Sequence, residues 1–276
     1  MNQYYQTDLF NLHYFDNSNI QETIVFLHGF TGSSRDFKLP DVISSNYRCL
    51  IPDLPGHGRT QILDEAYFTT SGQVTLLKQW LNSLGLTKFH LFGYSMGGRL
   101  ALQFAVENYS QLQSLILVST TAGIKDETAR IARTEADDRI IQKLLSSNPK
   151  DFLTDWLTQP LFQGIADRGE DFMAQEVARR VPLQLSGLAC SLKYFGSGIM
   201  PAVWHQLFKI KTPTLVIAGS KDEKYKTLAS ELVTSIPNST VEILPTSHAP
   251  LIESPDLLWK CVLEFVRLKC DRFFGY

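Results

Sequence analysis

The chain has 276 residues, 44% of them hydrophobic and 20% charged, with a formal net charge of -2. This is ordinary globular composition, with enough apolar material for a sizeable core. The balance of charge gives no support to nucleic acid or an anionic membrane as a bulk partner, and leaves a local basic pocket open.

Phe10–Phe15 alternates apolar and polar residues and predicts an outer antiparallel strand. Thr23–Leu27 is an unbroken apolar run that stops at His28-Gly29, and Tyr47–Ile51 is a second, stopping at Pro52-Asp53. Gln73–Leu84 then places Val74, Leu77, Trp80, Leu81 and Leu84 at helical spacing. Phe89–Phe92 is a strand ending at Gly93, followed by a helical pattern over Met96–Val106. Ser114–Val118, Thr214–Ala218 and Thr240–Leu244 are further strands, with helices over Leu228–Ile236 and Pro255–Leu268. Unbroken apolar strands are those buried on both faces, with helices covering them. Repeated strand–helix–strand units predict an α/β fold with a mostly parallel sheet and right-handed crossovers. Ligands then bind beyond the carboxyl ends of the strands.

From Ala122 to Lys209 the pattern is helical, with no convincing strand. A structureless loop of that length is implausible, so a helical cap over residues 122–209 is expected. The core is then residues 1–121 and 210–276. The cap holds Arg130, Arg133, Arg139, Arg168, Arg179 and Arg180, with Trp156 and Trp204.

The N-terminal residues lack a basic stretch followed by a long apolar run, so no signal peptide is expected. No segment approaches the length of a membrane-spanning helix. Cys49, Cys190, Cys261 and Cys270 form no C-x-x-C. That spacing suggests neither a metal site nor a redox pair, and points to thiols in a reducing compartment. A soluble, cytoplasmic protein is expected.

Gly93-Tyr94-Ser95-Met96-Gly97 fits G-x-S-x-G at the joint between a predicted strand and a predicted helix. That is where a nucleophile elbow belongs. A serine hydroxyl needs a neighbour to take its proton. His248 follows the last predicted strand, where the chain order Ser, acid, His puts the base. His13 and His90 lie in or beside strands, and His57 belongs to a Pro-Gly turn, so structural roles suit them. His205 falls in the cap without an assigned role. The acid should end the preceding strand: Asp222 is the choice and Glu223 the fallback. The backbone N–H groups of Phe30 and Met96 are candidates for an oxyanion hole.

HGFTGSSRDF, PDLPGHGRT, GYSMGGRLAL, AGSKDEKY and SHAPLIESP together resemble the α/β-hydrolase superfamily over nearly the whole chain. A narrower resemblance rests on Arg99, four residues after Ser95. GYSMGGR looks like the 2-succinyl-6-hydroxy-2,4-cyclohexadiene-1-carboxylate synthases of menaquinone and phylloquinone biosynthesis. AGIKDETARIARTEADDR, DFLTDWLTQPLF and the stretch from Arg180 to Trp204 are similar to that family's cap segments. Leu251, three residues after His248, stands where a second histidine is expected.

The narrower resemblance implies a lyase that expels pyruvate from 2-succinyl-5-enolpyruvyl-6-hydroxy-3-cyclohexene-1-carboxylate, with no cofactor and no metal. It implies substrate contacts from Tyr94, Arg99, Arg133, Trp156, Phe162 and Arg180, and a small anionic substrate carrying several carboxylates. Residue chemistry points the same way for Arg99. It lies one helical turn beyond Ser95, and arginine pairs with carboxylates in a bidentate fork. Two other readings stay open: a serine hydrolase of an ester or carbon–carbon bond, and a non-catalytic binding protein of the same fold.

Overall fold

The computed structural model describes residues 1–273, and the side chain of Cys270 lies outside the described residues. Its centre is a nine-stranded sheet. The strands are β1 (Asn2–Gln6), β2 (Phe10–Asp16), β3 (Thr23–Leu27), β4 (Arg48–Pro52), β5 (Gln61–Ile62), β6 (Phe89–Tyr94), β7 (Leu112–Val118), β8 (Thr214–Gly219) and β9 (Ser239–Leu244). They lie in the order β1-β2-β4-β3-β6-β7-β8-β9, with β5 pairing β2. From β4 to β9 every pairing is parallel. Only the pairings of β2, with β1, β4 and β5, are antiparallel.

β3, β6, β7 and β8 are buried almost throughout, as their unbroken apolar runs require. Alternate residues face opposite sides. Val25 and Leu27 pack with Trp80, Leu100 and Phe104, while Ile24 and Phe26 pack with Phe92 and Trp259.

The sheet edges differ from expectation. Phe10–Asp16 is antiparallel but interior, because β1 pairs along its outer side. β1, NQYYQ, alternates exposed and half-buried residues and has no apolar run to announce it. β9 closes the opposite edge, with Val241 38% and Ile243 41% exposed rather than buried on both faces. Two helices begin earlier than their apolar periodicity. Thr70–Ser83 is capped by the Thr69 hydroxyl, which accepts from the Gly72 N–H at 3.1 Å. Glu223–Ser235 is capped by Asp222. Polar first turns carry a cap but no apolar signal.

Between β7 and β8 the described elements are helical, the longest being Glu127–Ser146, Glu170–Arg180 and Leu185–Phe195. This insertion has apolar clusters of its own, around Leu153, Leu157 and Ile165 and around Leu144, Phe152 and Leu188. Its entry and exit are joined: Val203 N–H donates to Ala122 O at 2.8 Å, and Trp204 Nε1 donates to Gly123 O at 2.7 Å. No helix among the described residues is long and apolar enough to cross a membrane.

Parallel register aligns the strand ends. Tyr94 pairs with Val118, Val118 with Ile217, and Gly219 with Leu244. Residues that follow β6, β8 and β9 therefore emerge along one edge.

The loop after β4 is organised by a buried carboxylate. Asp53 accepts from the N–H groups of Ser34 at 2.6 Å and Arg59 at 2.8 Å, and pairs with His13 Nδ1 at 2.7 Å. Gly58 has φ +53°, and a Cβ there would collide with that carboxylate. Burial alone would raise the Asp53 pKa, but the His13, Ser34 and Arg59 donors outweigh it and hold the group at about 2. An unfolded aspartate titrates near 3.9. The stabilisation is therefore complete above about pH 4 and is lost as the pH falls toward about 2. The shift is worth about 2–3 kcal/mol. Urea titrations should show Asp53→Asn less stable than the parent at pH 7, with a shallower loss between about pH 4 and 2. Identical pH slopes would contradict the assignment.

Candidate active site

Ser95 stands between β6 and the helix Met96–Asn108, at φ 51° and ψ -108°. Three hydrogen bonds hold that backbone. Its N–H donates to Val118 O at 2.8 Å, and its carbonyl accepts from the Arg99 N–H at 3.1 Å and the Thr120 hydroxyl at 2.8 Å. A Cβ on Gly93 would lie 2.6 Å from Gly97 O, and one on Gly97 would strike Leu27 O. Side chains are thus excluded on both sides of the elbow.

Ser95 Oγ lies 3.0 Å from His248 Nε2, and His248 Nδ1 lies 2.8 Å from Asp222 Oδ2. An ionised carboxylate only accepts, so the imidazole proton sits on Nδ1 and Nε2 is left to accept from the serine. Asp222 Oδ1 accepts from the Tyr225 N–H at 3.2 Å, so the helix start also aims the carboxylate. Glu223, the fallback acid, instead pairs with Lys226 at 2.7 Å on the surface. The His248 ring is buried among three aromatics: Tyr225 at 4.4 Å, and Phe162 and Tyr94 each at 5.9 Å between centroids. This chain of groups can pass a proton from Ser95 to His248 while Asp222 stabilises the imidazolium.

Sequence reasoning missed Glu253. Its carboxylate accepts from the Ser247 N–H at 2.7 Å, from the Ser247 hydroxyl, and from the Ala249 N–H at 3.2 Å. It therefore grips the backbone on both sides of His248. Gly164, from the insertion, packs so closely on Glu253 that a Cβ would overlap its carboxylate. The only sequence signal is an acid five residues after the histidine, which reads as a solvated helix charge.

Ser95 opens into a cavity of about 150 Å³ that Tyr94, Phe30 and Met96 also line. Arg99, Arg133, Arg180, Trp156 and Phe162 reach the same cavity. The three arginines are not equivalent. Arg99 donates through Nη1 to Phe195 O at 2.8 Å and approaches Met200 Sδ at 3.5 Å, with no carboxylate partner among the described residues. Burial lowers it to about 10, so it stays cationic at neutral pH. Arg133 pairs with Asp137 at 2.8 Å. Arg180 pairs with Glu176 at 2.6 Å and lies 4.0 Å from Asp36, which also binds Arg179 at 2.6 Å. Arg130 and Arg168 are outside the cavity, on the carbonyls of Gly198 and Ile252. Trp156 packs edge-on against Phe30 at 5.2 Å.

Met96 opens its helix, so its N–H is among those without an intrahelical acceptor. Phe30 follows Gly29, whose carbonyl accepts from His28 Nδ1 at 2.8 Å. His28 Nε2 accepts in turn from the Leu54 N–H at 2.9 Å, tying two loops together. His57 Nδ1 donates to Pro55 O at 3.0 Å, and burial beside His28 lowers it to about 3. It is a neutral loop residue. His90 bonds Ser114 Oγ at 2.8 Å, and His205 is exposed away from the cavity. A larger groove of about 730 Å³ runs between insertion helices, but its only ionisable side chains are Lys150 and Glu170. Among the described residues, no group of three His, Cys, Asp or Glu side chains is placed to hold a metal ion.

Residues 22–255 match the family model for the alpha/beta hydrolase fold. A Bacillus subtilis (strain 168) protein named "Putative 2-succinyl-6-hydroxy-2,4-cyclohexadiene-1-carboxylate synthase" is 35% identical over 90% of this chain and 91% of its own length. The 2-succinyl-6-hydroxy-2,4-cyclohexadiene-1-carboxylate synthase of Enterobacter sp. (strain 638) is 30% identical over 89% of this chain and 92% of its own. The solved structure of MenH from S. aureus superimposes with a TM-score of 0.87 at 32% identity, covering 95% of this chain and 99% of that one. With its elbow serine, mostly parallel sheet and helical insertion, the chain belongs to the α/β-hydrolase family and is related within it to the 2-succinyl-6-hydroxy-2,4-cyclohexadiene-1-carboxylate synthases.

Proposed function

We propose that the chain is a carbon–oxygen lyase that eliminates pyruvate from 2-succinyl-5-enolpyruvyl-6-hydroxy-3-cyclohexene-1-carboxylate, giving 2-succinyl-6-hydroxy-2,4-cyclohexadiene-1-carboxylate. The observation that carries this reading is Arg99: a withdrawn guanidinium beside Ser95, on the cavity wall, without a carboxylate partner among the described residues. A half-buried cation without a counter-charge is stabilised by an anion that arrives to meet it. Arg133 and Arg180 line the same cavity, each beside a carboxylate of the protein, and the proposed substrate carries three carboxylates. The synthase relatives support the same reaction.

In this reading Ser95 is a base. His248 takes the hydroxyl proton through Nε2, and Asp222 holds the Nδ1 proton in place. Ser95 oxygen then removes the ring proton α to the succinyl ketone. Charge builds on the ketone oxygen, which the Phe30 and Met96 amides receive; such donors are typically worth about 100- to 1,000-fold in rate. The electron pair moves through the ring and breaks the carbon–oxygen bond. Enolpyruvate leaves with that pair and gains a proton on carbon to become pyruvate. Tyr94, Trp156 and Phe162 pack the ring, and the arginines fix the carboxylates so that the proton sits near Ser95. Residues 122–209 act as the cap over a core of 1–121 and 210–276. The proposed setting is the cytoplasm, in keeping with free thiols at Cys49, Cys190 and Cys261.

The reaction class is tested in ¹⁸O-water with the enolpyruvyl substrate and with simple esters. Elimination yields diene and pyruvate with no solvent oxygen in the diene, and esters turn over feebly. Rapid ester turnover without diene would replace the lyase by a hydrolase, which forms an acyl-enzyme. Ser95→Ala and His248→Ala should each lower turnover by roughly 1,000-fold or more in folded protein. Arg99→Ala should cost about 1.5–3 kcal/mol in kcat/KM, with poor rescue by lysine. Glu253 is examined without any substrate. A fluorophosphonate should label Ser95 about tenfold more slowly in Glu253→Gln, because the lost acceptor frees the His248 loop. Equal labelling rates by mass spectrometry would reduce Glu253 to a bystander.

A further inference from the structure

Tyr225 lies in the first turn of the helix Glu223–Ser235, with its N–H held by Asp222. Its ring is packed on His248, and it reaches the cavity wall together with Arg99 and Arg133. Among the described residues, no protein group hydrogen-bonds its hydroxyl. Arg99 is in a matching condition. Nη1 is occupied by the Phe195 carbonyl, whereas Nε and Nη2 have no protein acceptor among the described residues. Tyr225, Arg99 and Arg133 line the same cavity and act on one another electrostatically, so these unused donors are neighbours on its wall.

We propose that the Tyr225 hydroxyl is a substrate-binding donor that completes, with Arg99 and Arg133, a single carboxylate subsite beside His248. The proposal rests on the carboxylate-binding reading above and says which corner of the cavity seats the most tightly held carboxylate. Charge counting favours this corner. Arg180 and Arg179 are already balanced by Glu176 and Asp36. Arg99 and Arg133 share only Asp137, which pairs with Arg133. Arg99 is thus the cavity arginine without a paired carboxylate among the described residues, whereas Arg180 has one. Among charged groups, Arg99 acts most strongly on the Tyr225 phenol, followed by Arg133 and Asp222. Burial nevertheless dominates and raises the phenol above its ordinary value, so it remains protonated and able to donate.

The subsite also explains how one side chain serves two needs. The ring braces His248, while the hydroxyl reads an acceptor. A carboxylate oxygen satisfies it; an ammonium or other group offering only protons does not. Tyr225 would thus add a directional donor to the charge that Arg99 and Arg133 bring to the same subsite.

The test is isothermal titration with 2-succinylbenzoate, an unreactive aromatic dicarboxylate that keeps the succinyl ketone. Four proteins are compared: the unaltered chain, Tyr225→Phe, Arg99→Ala, and the double variant. Phenylalanine retains the ring on His248 and removes only the hydroxyl. A charge-assisted hydrogen bond predicts at least about tenfold weaker binding in Tyr225→Phe. In the Arg99→Ala background the same change should have much less effect, because the carboxylate is no longer seated there. If the unaltered chain binds the probe and Tyr225→Phe binds it equally well, the Tyr225 assignment alone falls. A full tenfold effect persisting without Arg99 would overturn the shared subsite. Failure of the unaltered chain to bind would remove the carboxylate reading as a whole.

Discussion

The backbone of Ser95 lies at a positive φ that a residue with a side chain adopts at a cost on the order of 1–3 kcal/mol. It persists because the surroundings over-determine it. The Val118 carbonyl takes its N–H, the Thr120 hydroxyl and the Arg99 N–H share its carbonyl, and glycines on either side leave no room for another path. The rest of the site follows from that geometry. The hydroxyl projects from the end of β6, the next amide is free at a helix start, and Arg99 leaves the same helix one turn later. β7 supplies one of the three restraints and the segment that follows it, at Thr120, supplies another, so correct pairing of β6 with β7 is a condition for placing the serine at all.

Two carboxylates then fix His248 in different ways. Asp222 contacts the ring and determines which nitrogen carries the proton. Glu253 contacts the neighbouring amides and determines where the ring is. Asp222 is itself oriented by the helix it caps. The arginines divide similarly by function of charge. Those on the helix Glu170–Arg180 are engaged with Glu176 and Asp36 and link insertion to core, whereas Arg99 is left without such a partner.

Much of this was legible in the sequence, for identifiable reasons. Ser95, Asp222 and His248 follow apolar runs, and parallel register carries the ends of such runs to one edge. Arg99 follows from helical spacing after the elbow. Arg133, Arg180, Trp156 and Phe162 come from elements far apart in the chain, and no periodicity unites them; only the family resemblance pointed to one cavity. β1 was invisible because a polar edge strand needs no apolar run, and β9 looked buried because Val241 and Ile243 are apolar yet face outward. Glu253 and Tyr225 escaped notice for another reason. Glu253 acts on backbone amides, which have no sequence signature, and Tyr225 acts through a ring contact across a loop.

The meeting of Gly164 with Glu253 bears on how this scaffold could diversify. Insertions of this kind look exchangeable, since both ends of this one close on each other at Ala122 and Val203. Yet a single methyl group at position 164 would press on the carboxylate that seats the histidine loop. A graft drawn from another member of the family would have to offer an equally bare backbone at that point, or bring its own replacement for Glu253. Recombination between donor insertions and this core is therefore filtered by a contact that involves none of the arginines on the cavity wall.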